Sequence, residues 1–119
     1  MMQFQFMKRD DKVYLEDILE SINIILEHVG EKTEYEFSKS LLLQDAVIRR
    51  FEIIGEATAH LTTSLKNKHS EIKWKFLRNF RNELTHEYFG ISSTMIYQTI
   101  INDLPELKSQ IQKLLKHLK

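Results

Sequence analysis

Residues 76–90, FLRNFRNELTHEYFG, gather Arg78, Arg81, Asn82, His86 and Tyr88 near the end of a helical stretch that stops at Gly90. At about 100° per residue, Asn82 and His86 (i, i+4) share a helix face, so the Asn amide can fix the tautomer of the imidazole. Arg81 and His86 are five apart, about 140° around the same helix, so one chain cannot aim both at one atom. Two copies related by a two-fold axis can, each bringing an Arg and a His to a shared cleft. Arg and His together suit RNA cleavage without a metal. The 2′-hydroxyl attacks the adjacent phosphate, an imidazole near its operating pKa moves the proton, and a guanidinium holds the anionic phosphorane through paired N–H bonds. The spacing alone also admits a blander reading, in which Arg81 pairs with a carboxylate and His86 caps the helix C-terminus.

Other chemistries find no support. There is no Gly-rich phosphate loop and no H-E-x-x-H, since position 90 is Gly, and His28, His60, His69 and His117 are scattered. With no cysteine, the chain can form neither a disulfide nor a thiolate site, and neither a metal nor a cofactor is expected. The net charge of zero conceals an uneven distribution: residues 1–36 carry four Lys/Arg against nine Asp/Glu, whereas residues 64–86 carry six against two. This basic middle, with Lys73, Lys75 and Arg78 as candidate RNA contacts, can steer a polyanion, although such a run is also compatible with a solvated helix face.

The elements that must position these residues are helical. Three Gly and one Pro in 119 residues leave too little punctuation for a turn-rich β protein. Leu15, Ile18, Leu19, Ile22, Ile25, Leu26 and Val29 predict an amphipathic helix over 10–29, with Asp10 and Asp11 at its positive end and Gly30 past its C-terminus. Thr33 and Glu36 have capping-box spacing, and Phe37, Leu41, Val47, Phe51, Ile54 and Leu61 predict one long helix to about residue 66. Gly55, with Ala57 and Ala59 nearby, interrupts that helix at a cost of about 1 kcal/mol relative to Ala, and predicts close approach by another helix. Residues 66–70 read as a loop, with Ser70 as a candidate cap for a third helix carrying Ile72, Phe76, Leu77, Phe80 and Leu84, a stripe that Trp74 lies off. Ser92 or Ser93 opens a fourth helix and Pro105 a fifth. The expectation is an all-α antiparallel bundle of four to five helices. No window approaches 18 consecutive apolar residues and the basic residues of the N-terminus follow its apolar stretch, so a cytoplasmic protein without a membrane segment is expected.

Arg81-Asn82-Glu83-Leu84-Thr85-His86-Glu87-Tyr88 resembles the R-x-x-x-x-H-x-Y motif of HEPN-domain proteins, specifically the HepT-like toxins. YLEDILESI (14–22), LLLQDAVIRRFEIIGEA (41–57), EIKWKFLRNFRNELTHEYFG (71–90) and NDLPELKSQI (102–111) follow the pattern of that family in order. The resemblance implies a homodimeric HEPN-like domain over 8–119, with residues 1–7 an N-terminal extension, and a ribonuclease site formed by Arg81 and His86 of both chains, with Asn82 in support. It further implies an MntA-like minimal nucleotidyltransferase as antitoxin, which silences the toxin by transferring AMP from ATP to Tyr88. An alternative reading makes the chain a non-catalytic, substrate-binding helical partner of such a nucleotidyltransferase.

Overall fold

The computed structural model describes residues 10–86 and 92–118, with side chains to Leu84 in the first stretch. Among the described residues there are seven helices and no strand: α1 (Asp11–Val29), α2 (Glu34–Ser38), α3 (Leu41–His60), α4 (Thr63–Lys68), α5 (Trp74–His86), α6 (Ser93–Asn102) and α7 (Leu104–His117). The all-α expectation holds, but the expected helix count is too low. The expected N-terminal extension, residues 1–7, lies outside the described residues.

The extra helices arise because two short polar side chains capture free backbone donors. The capping box forms as expected, with Glu36 N–H donating to Thr33 Oγ1 at 3.1 Å and Thr33 N–H to Glu36 Oε1 at 2.8 Å. The helix it opens ends at Ser38, because the Ser40 hydroxyl accepts from Leu43 N–H at 3.1 Å and starts α3 afresh. Gln44 then donates to the Phe37 carbonyl at 2.9 Å, satisfying an end that the break would otherwise leave open. Thr62 does the same at the far end of α3, accepting from Leu65 N–H at 3.2 Å and opening α4. The expected loop at 66–70 is therefore partly helix, and Ser70 lies in a turn, because α5 begins only at Trp74.

The centre of the molecule is α3. It lies antiparallel to α1, and the junction is fixed by Asp11, which accepts from Thr62 N–H at 3.0 Å and from Thr62 Oγ1 at 2.7 Å. On its other side α3 carries α5, with Phe51 meeting Phe80 edge-on at 4.9 Å. The core between α1, α3, α5 and α7 is built from Leu15, Ile18, Ile22, Val47, Ile54, Leu77, Leu84 and Ile111, all buried. Ser92 caps α6 and Pro105 sits in the first turn of α7, as expected.

Three residues depart from the expected apolar faces. Leu41 is 71% exposed, because the break at Ser40 puts it at the first position of a new helix rather than on the buried stripe of an unbroken one. Phe76 is exposed and stacks on Phe80 at 5.7 Å. Trp74, off the stripe, is nonetheless buried, its indole N–H donating to the His69 carbonyl at 3.0 Å and closing the turn from α4 into α5.

Candidate functional site

The site is organised around α5 and its seat on α3. Gly55 is that seat. A Cβ built on Gly55 would collide with Arg81 Cβ, stand 2.6 Å from Arg81 Cγ and stand 3.2 Å from the Leu77 carbonyl oxygen. Only a residue without a side chain lets the two helices approach so closely, so the unfavourable Gly inside α3 is compensated by the contact that holds the aliphatic stem of Arg81. Leu77 and Leu84, at i−4 and i+3 from Arg81, are both buried and clamp the helix on either side. Arg81 is half-buried, with its Nε withdrawn from solvent, while neighbouring Asn82 is exposed. The close packing at Cβ and Cγ restricts the rotamers open to the Arg81 stem.

Helix α5 continues without interruption through His86. Asn82 and His86 thus occupy one face of α5 at i and i+4, and the backbone position of His86 lies about 140° around from Arg81 and about 7.5 Å further along the axis. Tyr88 and the expected helix stop at Gly90 lie outside the described residues.

Of the three residues expected to contact RNA, the structure brings two together. Lys75 and Arg78, three apart on the exposed face of α5, line one hollow. Lys73 precedes the helix and lines a different cavity, floored by Phe51, Leu77 and Leu107 and rimmed by Glu71, Asp103 and Glu106. Lys66, counted in the basic stretch but not singled out, comes from α4 to join Lys75 and Arg78. Its arrival depends on the break at Thr62, which starts the short helix that carries it. Two of the four histidines away from α5 have local partners: His60 stacks on Tyr14 at 5.2 Å, and His69 lies 3.8 Å from Glu71. Among the described residues no group of three or more His, Cys, Asp or Glu could hold a metal ion, and no helix is long and apolar enough to cross a membrane.

Comparison with known proteins bears on the family of the chain as a whole. The sequence matches the family described as "Ribonuclease HepT-like" over residues 18–114. It is 43% identical over 112 residues to the "Gamma-glutamylcyclotransferase and putative RNase" of Methanocaldococcus jannaschii, covering 94% of this chain and 50% of that protein. It is 41% identical over 110 residues to the "Probable ribonuclease HepT" of Thermococcus cleftensis, covering 92% of this chain and 100% of that one. It is 38% identical over 103 residues to a "Putative RNase" of Caldanaerobacter subterraneus, covering 87% and 92%. The chain therefore spans half the length of the first relative and nearly all of the other two. No solved structure matches it.

Proposed function

The chain belongs to the HepT-like ribonuclease family, and from that premise we propose that it is the toxin of a toxin-antitoxin pair, a metal-independent endoribonuclease acting at a cleft shared by two copies. The observation that carries this reading is the seating of Arg81 on Gly55, which places a helix-weakening residue where the stem of the motif's arginine packs. In the proposed reaction the 2′-oxygen attacks the adjacent phosphorus, the P–O5′ bond breaks, and the proton passes from the 2′-hydroxyl to the leaving 5′-oxygen. His86 moves that proton, and Arg81 stabilises the charge that gathers on the phosphorane oxygens. Asn82, on the face of His86, orients the ring.

Because Arg81 and His86 diverge around one unbroken helix, the complete set requires a second copy. An uncovered surface supports such a pairing. Leu41 and Leu42 are 71% and 83% exposed at the start of α3, displaced from Gly55 toward the end of the molecule that His86 also approaches. Exposed Asp45 and Arg49 follow Leu42 on the same face.

Tyr88, two residues past His86, is the proposed site of AMP transfer from ATP by an MntA-like nucleotidyltransferase antitoxin. A bulky anion there would obstruct the cleft and repel an RNA phosphate. The test is incubation of the purified protein with RNA in the presence of a chelator. Cleavage by wild type and its loss in His86→Ala are expected; intact RNA with wild type, or equal cleavage by the variant, would contradict the proposal. Mass spectrometry after incubation with the nucleotidyltransferase and ATP should find AMP on Tyr88. AMP appearing only on a third molecule would instead make the chain a non-catalytic partner.

A further inference from the structure

The hollow between α3, α4 and α5 is open, about 490 Å³, and lined by Thr58, Lys66, Trp74, Lys75 and Arg78. Three of its five lining residues are cations and none is a carboxylate. Four other hollows of the described surface, by contrast, each carry carboxylates: Glu71 in two of them, Glu20 on α1, and Glu56 beside Tyr14. Three like charges converging on one concavity repel one another, and a bound anion relieves that repulsion.

The walls of the hollow are fixed. Trp74 is buried with its indole N–H committed to the His69 carbonyl, so it acts as a rigid side rather than as a donor to a ligand. The Lys66 ammonium lies 3.5 Å from the Thr58 carbonyl oxygen, which holds it at the rim. Lys75 and Arg78 then continue along α5 into Asn82 and His86 at spacings of three, four and four, a single helical stripe about 16 Å long. The stripe begins in the hollow and ends at the catalytic motif.

We propose that the hollow of Lys66, Lys75 and Arg78 binds the RNA backbone phosphates next to the scissile one, on the side of the cleft toward α4. This rests on the ribonuclease reading above. It assigns the polarity of the substrate path on the protein: the strand leaves Arg81 along the Lys75–Arg78 face of α5 and does not run over Lys73, which lies across the helix in an acid-rimmed cavity. The contacts are to phosphate, so they tighten binding of single strands without regard to sequence.

The experiment measures binding of a single-stranded RNA oligonucleotide that is 2′-O-methylated throughout, and so cannot be cleaved, as a function of salt. Each phosphate contact to a single strand contributes about 0.7 to the slope of log K against log salt. K66Q/K75Q/R78Q should lower the slope by about 2 and K75Q/R78Q, which leaves the Lys66 contact to Thr58 intact, by about 1.4. K12Q/K113Q/K116Q removes the same charge from exposed positions outside the hollow and should leave the slope at the wild-type value. Wild-type slopes in both hollow variants, or an equal loss in the Lys12 set, would overturn the proposal. Failure of the ribonuclease reading is separable. A wild-type protein that binds the methylated strand through the hollow but leaves ordinary RNA intact keeps the phosphate site and loses the nuclease. One that cleaves RNA with an unchanged slope in the hollow variants does the reverse.

Discussion

Arg81 and Gly55 act as a pair, and substitutions at either should show it. Arg81→Lys keeps the charge but loses the planar fork that matches a phosphate, so cleavage should fall by a factor on the order of 10² or more while the fold remains intact. Gly55→Ala would gain about 1 kcal/mol in helix propensity but must displace the Arg81 stem and crowd the Leu77 carbonyl. Overpacking of this kind costs about 1–3 kcal/mol, so a lowered melting temperature is expected, together with a loss of cleavage approaching that of Arg81→Lys. Unchanged cleavage in a destabilised Gly55→Ala protein would mean that the contact serves packing alone.

At the scale of elements, the caps decide where helices begin. Thr62 opens α4 and ties the end of α3 to Asp11 at the start of α1, so Thr62→Val removes the cap and the hydroxyl's bond to Asp11 in one change, while the backbone N–H keeps its own bond to that carboxylate. A loss of about 1–3 kcal/mol in unfolding free energy is expected by chemical denaturation, against about 1 kcal/mol for Ser40→Ala, which removes only a cap. The same two residues mark the limit of what could be read from the sequence. The apolar stripes of α1, α3, α5, α6 and α7 were legible because burial of one face imposes a period of 3.6 residues. The breaks at Ser40 and Thr62 were not, because Phe37, Leu41 and Leu61 keep that period across both junctions and only a single hydroxyl at each place stops the helix. Gly55 was legible as a close approach, since an interior Gly needs a reason, but its neighbour was not, because nothing local to α3 names Arg81. Lys75 and Arg78 stand on one face by spacing, whereas the arrival of Lys66 and the separation of Lys73 depend on how α4 and α5 turn around Trp74. That is tertiary information.

The described residues extend 51 × 29 × 21 Å along their principal axes, an elongated shape with two leucines uncovered at one end of its central helix. In the proposed dimer those leucines are covered by the second copy. Leu42→Glu should therefore shift the protein from dimer to monomer in analytical ultracentrifugation and abolish cleavage while leaving helicity unchanged. A composite cleft makes a sharper demand on two chains that are each inactive. Arg81→Ala lacks the guanidinium and His86→Ala lacks the imidazole, but a mixed dimer retains one of each on opposite chains. Equimolar mixing after partial denaturation and refolding, followed by RNA cleavage in chelator, is the most direct measurement. Cleavage well above that of either variant alone is the predicted result, and a mixture as inactive as its parents would contradict a site shared between two copies.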